Sequence, residues 1–239
     1  MIKVTNLVKT FSSGTLETKV LKGIDIVVKE GEFIAIMGRS GAGKSTFMYQ
    51  MSLLDDPTAG SIVIDGQNTE QMTPLEKSRV RLLKFGYVFQ DYALMPDLTA
   101  LENVALPLMM QGLTTRESNE IAKKSLDRMG LGKRLGNTPS QLSGGEQQRV
   151  SIARAVAHDP KILFADEPTA NLDNESSETV MKIFLELHKA GQTIIMVTHE
   201  EEYARRAGRL VVIDDGKILK EEYLNGHLPA PGTLEKWTR

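Results

Sequence analysis

The nonapeptide GRSGAGKST at residues 38–46 constrains the fold of this chain more than any other feature. It matches the pattern G-x-x-x-x-G-K-[ST], which binds phosphate when a strand leads into it and a helix leaves it. The apolar run FIAIM at 33–37 predicts a buried central strand, and residues 45–54 can continue as a helix. This context argues against a simple glycine-rich connector and predicts an α/β fold built around a phosphate loop.

The chemistry of this loop predicts a nucleotide site with magnesium. Glycines let backbone amides approach phosphate oxygens closely, and the first amides of the following helix point at the same oxygens. Lys44 is expected to neutralise the β- and γ-phosphates, and the Ser45 hydroxyl is expected to hold Mg²⁺. The candidate ATP-binding residues of the loop are Gly38, Arg39, Ser40, Gly41, Ala42, Gly43, Lys44, Ser45 and Thr46.

Two adjacent carboxylates follow a second apolar run, ILFADEP at 162–168. We expect Asp166 and Glu167 at the carboxyl end of a buried strand, where ligands bind in open α/β sheets. Alone, this pattern is equally typical of a strand that enters a polar turn, but beside a phosphate loop it indicates catalysis. Asp166 is predicted to hold the magnesium shell, and Glu167 to accept a proton from, or to orient, the water that attacks the γ-phosphate.

Two further polar residues follow apolar strands. His199 comes after TIIMVT and Gln90 ends GYVFQ, so both are expected at the same edge of the sheet as the carboxylates. His199 is predicted to face the γ-phosphate, and the Gln90 amide oxygen to reach Mg²⁺ or the attacking water. The other histidines, His158, His188 and His227, fall on predicted helix or tail positions, where surface or structural roles are expected.

Shorter patterns predict the remaining layers. Residues 2–8, 20–28 and 61–64 alternate as half-buried strands of a small antiparallel layer, and 209–219 read as a closing hairpin. A helical segment at 175–190 separates the apolar strands KILFAD and TIIMVTH, as in a parallel sheet.

The middle of the chain shows helix signals and no convincing strand. Thr99 with Glu102, and Thr114 with Glu117, have the spacing of capping boxes, and Gly130 suits a helix end. We therefore predict one α/β domain: a P-loop NTPase core with a mostly parallel sheet, an antiparallel β subdomain and an inserted α-helical subdomain. Its parts are the core and β layer at 1–90 and 160–222, the helical subdomain at 91–159 and an irregular tail at 223–239.

The segment LSGGEQQR at 142–149 is the most discriminating motif in this helical region. Ser143 precedes Glu146 by three residues, again the spacing of a capping box, and a well-capped helix is the simplest interpretation. Two glycines directly after the cap, Gly144 and Gly145, weaken the helix and expose its first amides to an anion. Because the motif need not reach the phosphate loop of its own chain, we expect a second copy to supply it across an isologous interface.

Taken in order, GRSGAGKST, Gln90, LSGGEQQR, ILFADEP, NLD and His199 resemble the ATP-binding cassette family of transporter ATPases. The resemblance spans nearly the whole chain. It implies a homodimer that closes head to tail around two ATP molecules, each bound by one phosphate loop and by the partner subunit's signature residues. The residues implied to contact nucleotide in this way are Ser143, Gly144 and Gly145.

The resemblance also assigns residues outside the phosphate loop. Phe11 occupies the position of the aromatic residue that stacks on adenine in this family, although a core phenylalanine is the simpler interpretation. Asp173 of NLD is implied to join the two sites. Asn171 departs from the family's more usual serine at the start of this motif, and its effect on coupling stays open.

Within the family, GEFIAIMG and GYVFQDYALMPDLTALENVALPL resemble the lipoprotein-releasing and macrolide-exporter group and its cell-division relative. The implied function is an ATPase that drives export or extraction by a membrane permease, and the alternative is a regulator that signals without transport. The segment implied to receive a helix of the permease contains Tyr92, Leu94, Met95 and Pro96. Core packing of leucine and methionine is the competing interpretation.

Charge and composition limit the partners. The formal net charge of −2 gives no general reason to expect nucleic acid or an anionic membrane surface. The chain has no cysteine, no signal-like apolar run at its start, and no stretch of about 20 apolar residues. We expect a cytoplasmic protein held at the inner face of the membrane by its permease. A family member acting on ribosomes or DNA, and a small-molecule kinase, fit the motifs less well.

Overall fold

The computed structural model describes residues 1–14 and 16–224. Ten strands are present in the described part: β1 (Ile2–Ser13), β2 (Leu16–Val28), β3 (Phe33–Met37), β4 (Ala59–Ile64), β5 (Gln67–Asn68), β6 (Phe85–Val88), β7 (Ile162–Asp166), β8 (Thr193–Val197), β9 (Arg209–Asp214) and β10 (Lys217–Tyr223). The helices of this part, apart from two short 3₁₀ turns, are α1 (Lys44–Met51), α2 (Pro74–Lys84), α3 (Ala100–Met110), α4 (Thr115–Arg128), α5 (Gly144–Val156), α6 (Asn174–Lys189) and α7 (Glu201–Ala204).

The main sheet has six strands in the order β10-β9-β3-β8-β7-β6. All neighbours are parallel except β10, which returns antiparallel to β9. Every residue of β7 and β8 is buried, as expected for parallel strands covered on both faces. The predicted mostly parallel sheet is confirmed, and the carboxyl ends of β3, β8, β7 and β6 meet at one edge.

The second sheet is antiparallel, with the order β2-β1-β4-β5, and confirms the predicted β layer. Its apolar side packs with α1 against one face of the main sheet. Phe47 and Met48 of α1 are buried in this layer with Leu7 and Ile34. The helix that follows the phosphate loop is therefore clamped between two sheets, which fixes the position of the loop.

The helices α3, α4 and α5 lie within the predicted helical region at 91–159. Thr99, Thr114 and Ser143 each begin a helix with a complete capping box. Gly130, with φ of 72°, follows the end of α4 as predicted. Leu126 of α4 belongs to the same buried cluster as Leu163 of the main sheet, so the helical region shares a core with the sheet.

Several boundaries differ from the sequence-based prediction. Helix α1 ends at Met51 rather than 54, because Leu53 turns into a left-handed conformation with φ of 60°. Strand β1 continues beyond residue 8 as a hairpin with β2, which starts at Leu16 rather than at residue 20. Strand β10 reaches Tyr223, one residue into the predicted tail, and residues 225–239 of that tail lie outside the described residues.

A membrane-spanning helix is not found in the described part of the chain: no helix within 1–14 or 16–224 is both long and apolar enough.

Candidate nucleotide site

The topology of the main sheet brings the predicted site residues to one edge. The phosphate loop follows β3, and His199 comes two residues after the neighbouring strand β8. Asp166 ends β7 and is followed by Glu167, and Gln90 lies two residues after β6. Four adjacent parallel strands thus deliver residues from distant parts of the sequence to a common edge, as predicted.

The phosphate loop leads directly into the uncapped start of α1. Gly43 precedes α1 with φ of 99°, and α1 starts without a side-chain cap, so its first amides are free to bind an anion. At Gly38, a Cβ atom would lie 2.2 Å from the Ile213 carbonyl oxygen, which explains the need for glycine. Lys44 is buried, and its Nζ donates to the Arg39 carbonyl at 3.3 Å. The lysine is held across the loop, where phosphates would replace the carbonyl as its partner.

The Ser45 hydroxyl donates to Asp166 Oδ1 at 3.2 Å. Asp166 is buried, and burial raises the pKa of its carboxyl, while hydrogen bonds from Tyr49 and Ser45 act in the opposite direction. A hydroxyl and a carboxylate at one point fit Mg²⁺, which takes few protein ligands and completes its shell with water and phosphate oxygens. Tyr49 was not predicted, although it lies four residues after Ser45 on the same helix, a spacing that places both on one face.

Glu167 and His199 form a direct pair. His199 Nδ1 lies 2.9 Å from Glu167 Oε2. The Glu167 backbone is left-handed, with φ of 44°, and its amide donates to the Val197 carbonyl at 2.9 Å, which turns the chain across the end of β8. Such strained conformations of non-glycine residues concentrate at functional sites. The predicted catalytic carboxylate is therefore aimed by its own backbone and by the histidine.

Gln90 begins a segment with an unusual backbone. Its carbonyl accepts a hydrogen bond from Asn171 Nδ2 at 3.2 Å. Tyr92 and Ala93 both have left-handed backbones, with φ of 59° and 49°. Arg154 of α5 donates to the carbonyls of these two residues at 2.9 and 2.5 Å. Sequence reasoning missed Arg154 and the Asn171 contact, because neither has a local signal.

The signature segment starts α5 as predicted. The Glu146 amide donates to Ser143 Oγ at 3.2 Å, and the Ser143 amide donates to Glu146 Oε2 at 2.9 Å. The glycines also have a role within their own chain: a Cβ at Gly145 would lie 2.5 Å from Ser176 Oγ, and one at Gly144 would lie 2.9 Å from the Tyr92 hydroxyl. Close packing on α6 thus favours glycine at position 145 independently of any anion, because Ser176 Cβ would also lie only 2.8 Å away.

Asp173 caps helix α6. Its carboxylate accepts from the Ser176 amide at 2.8 Å and from Ser176 Oγ at 3.0 Å, and these hydrogen bonds hold the pKa of Asp173 below its usual range. Phe11 lies on β1 with 47% of its surface exposed and Lys9 Nζ 4.9 Å from its ring centre. This exposure excludes the interpretation of Phe11 as a core residue and leaves the ring available for stacking.

The predicted permease-binding segment is mixed in its exposure. Met95 is 50% exposed and Pro96 is also exposed, whereas Leu94 is half-buried and packs against the main core. The Tyr92 hydroxyl donates to the Asn171 carbonyl at 3.3 Å. The core-packing interpretation thus holds for Leu94, and Met95 and Pro96 form the accessible part.

Sequence comparisons give consistent relatives. The family model described as ABC transporter matches residues 21–170. The lipoprotein-releasing system ATP-binding protein LolD of Aquifex aeolicus is 47% identical over 203 residues, covering 85% of this chain and 91% of that protein. The macrolide export ATP-binding/permease protein MacB of Aggregatibacter actinomycetemcomitans is 47% identical over 221 residues, covering 92% of this chain and 34% of that protein. The chain thus spans about a third of that second relative.

A solved structure gives the same result for the fold. The dimeric post-hydrolysis state of the ATP-binding cassette MJ0796, bound to ADP and Pi, matches with a TM-score of 0.88 at 40% identity. The match covers 95% of this chain and 100% of that one. This likeness confirms the predicted fold class in all three of its parts.

Proposed function

Since this chain belongs to the ABC transporter family and is an ATPase of that family, we propose that it drives export or extraction by a membrane permease. The hydrolysis part of this proposal is carried by the Glu167–His199 pair, 2.9 Å apart, at the sheet edge that also bears the phosphate loop and Asp166. In phosphoryl transfer the protein acts mainly by positioning groups and by stabilising charge. These residues supply both. The export or extraction part is supported by the 47% identity to LolD and to MacB.

Nucleotide binding is assigned to the phosphate loop and to Phe11. The free amides at the start of α1 and the buried Lys44 ammonium would face the β- and γ-phosphates. The exposed ring of Phe11 would stack on adenine. Ser45 and Asp166 would hold Mg²⁺, with the Gln90 side chain as a further oxygen ligand. When bound, the ion would neutralise charge on the phosphates.

Hydrolysis is assigned to Glu167 and His199. The Glu167 carboxylate would orient the attacking water and accept its proton as the bond to the γ-phosphate breaks. His199 Nδ1, at 2.9 Å, would keep that carboxylate in place. A general base of this kind contributes about 10²–10⁴-fold to the rate. Glu167→Gln keeps the size of the side chain and should therefore remove hydrolysis while it spares ATP binding.

Dimerisation would complete each site. Ser143, Gly144 and Gly145 of one subunit would meet the nucleotide on the phosphate loop of the other, and Asp173 would join the two sites. The matched cassette in the ADP and Pi state is dimeric, which supports a homodimer here. ATP would act as an adhesive between the subunits, because its phosphates interact with groups from both sides, and hydrolysis would release them.

The permease contact is assigned to the segment Tyr92, Leu94, Met95 and Pro96, with Met95 and Pro96 as its exposed part. A short amphipathic helix of the permease would bind there, next to Gln90, and would sense closure of the site. Met95→Glu should prevent complex formation and leave ATP binding intact. Leu219→Glu is the matched control, because Leu219 is 71% exposed on β10.

The proposal is tested with the Glu167→Gln protein. With ATP and Mg²⁺ it should elute from gel filtration as a dimer, whereas a monomer with bound ATP would contradict the sandwich arrangement. Retention from native membranes should then capture a permease. A cell-division permease would favour the regulatory alternative, and ribosomal or DNA-associated proteins alone would overturn the membrane assignment and leave the ATPase function intact.

A further inference from the structure

Asn171 is bonded to three consecutive residues of another loop. Its Nδ2 donates to the Gln90 carbonyl at 3.2 Å and to Asp91 Oδ1 at 3.3 Å, and its own carbonyl accepts from the Tyr92 hydroxyl at 3.3 Å. The two segments are about 80 residues apart in sequence. The side-chain amide is essential to this arrangement, because it is the donor in two of the three bonds.

The far end of the same segment is fixed by α5. Arg154 donates to the carbonyls of Tyr92 and Ala93, and burial lowers the pKa of Arg154 to about 10, so it stays charged at neutral pH. The left-handed backbones of Tyr92 and Ala93 leave little freedom there. The hydrogen bonds of Asn171 therefore fix the other end of this segment, at Gln90.

Asn171 also stands between residues with assigned roles. It lies four residues after Glu167 and two before Asp173, whose carboxylate caps α6. A Cβ at Gly144 would be 3.7 Å from the Asn171 carbonyl oxygen and 2.9 Å from the Tyr92 hydroxyl. Three loops with proposed roles at the nucleotide thus meet at this asparagine within one subunit.

We propose that Asn171 is a positioning residue for hydrolysis, whose amide holds Gln90 in place and couples residues 90–92 to the segment that carries Glu167 and Asp173. This inference rests on the proposed function. The amide fixes the backbone at Gln90 relative to the segment that carries Glu167 and Asp173, so the two segments keep one relative position. Loss of the amide uncouples the two segments and lowers the rate of hydrolysis without changing how ATP is bound.

The test uses a substitution that keeps the size of the side chain. Asn171→Asp replaces the donor by an acceptor that faces the Asp91 carboxylate and the Gln90 carbonyl. We expect kcat of the Mg²⁺-dependent ATPase to fall at least about tenfold, because two hydrogen bonds of the amide are lost and a repulsion is added. The KM for ATP and the affinity for a fluorescent ATP analogue should stay within about twofold, because the phosphate-loop residues are unchanged.

A reciprocal variant separates the pair from a general loss of structure. Combining Asn171→Asp with Asp91→Asn restores the side-chain bond between positions 171 and 91 with donor and acceptor exchanged, but not the bond to the Gln90 carbonyl, so it should recover part of the lost kcat, at least about twofold. Asn174→Asp adds the same charge at an exposed position nearby and should leave kcat unchanged. If Asn171→Asp does not fold, Tyr92→Phe removes only the hydroxyl and should lower kcat about threefold.

The outcomes are distinct from those of the proposed function. A kcat of Asn171→Asp within twofold of the unsubstituted protein, a change confined to KM, or a reciprocal variant no better than the single one would each overturn the inference. The proposed function would be untouched by these results. That proposal fails instead if the unsubstituted protein does not hydrolyse ATP, or if Glu167→Gln does not dimerise with ATP.

Discussion

Replacing Gly145 by alanine tests whether this glycine is required by packing within one subunit. A Cβ at this position would lie 2.5 Å from Ser176 Oγ and 2.8 Å from Ser176 Cβ, whereas ordinary contact begins at 3.4 Å. Overpacking of this kind destabilises a protein by about 1–3 kcal/mol, whereas the higher helix propensity of alanine stabilises it by at most about 1 kcal/mol. Because the backbone of Ser176 and not only its hydroxyl must move, we expect Gly145→Ala to lower the free energy of unfolding by about 1–2 kcal/mol.

The assay is urea unfolding followed by circular dichroism in a double-mutant cycle. In a Ser176→Gly background both clashing atoms are gone, so Gly145→Ala should become neutral or stabilising by up to about 1 kcal/mol. Gly136→Ala, where nothing lies within 4 Å, is the matched control and should change stability by less than about 0.5 kcal/mol. An equal cost of Gly145→Ala in both backgrounds would refute the packing argument.

Two further predictions concern the nucleotide and acid stability. Phe11→Ala should weaken ATP binding about 5- to 150-fold in a titration, because stacking of a base on an aromatic ring contributes about 1–3 kcal/mol, and Phe11→Tyr should bind normally. Hydrogen bonds at the helix caps hold the pKa values of Glu76, Glu102, Glu117 and Glu146 below their usual range. These ionised glutamates stabilise the folded state fully above the unfolded pKa of about 4.3, and the stabilisation is lost as pH falls through their lower folded pKa values. The melting temperature should therefore drop between pH 5 and pH 3. The drop should be smaller in Glu117→Gln, which has one fewer titrating cap.

The parts of the fold that were predicted correctly have local signals. The runs FIAIM, ILFAD and TIIMV are apolar on both faces of the strand, which specifies buried parallel strands and places Asp166 and His199 at one edge. The helix starts at Thr99 and Thr114 follow from the capping-box spacing, in which residue and partner are three positions apart. Both kinds of signal lie within a few residues of the feature that they predict.

The features that were missed depend on contacts between distant segments. Arg154 looked like an ordinary helix residue, and its partners at 92 and 93 are about 60 residues away. The exposure of Phe11 depends on how far β1 extends as a hairpin, which the alternation at residues 2–8 does not encode. The left-handed backbone of Glu167 follows from its hydrogen bond to the end of β8. Only the folded topology brings these groups together.

The uncapped start of α1 makes ligand occupancy part of the stability of this molecule. Of the six described helices longer than one turn, α1 alone begins without a side-chain cap, and because glycine occupies the cap position this absence costs the helix only about a few tenths of a kcal/mol. A phosphate group at that position would act as the cap. Without nucleotide, the first amides of α1 have no side-chain acceptor. The concentration of nucleotide therefore determines the fraction of subunits in which a phosphate accepts these hydrogen bonds and stabilises the helix start.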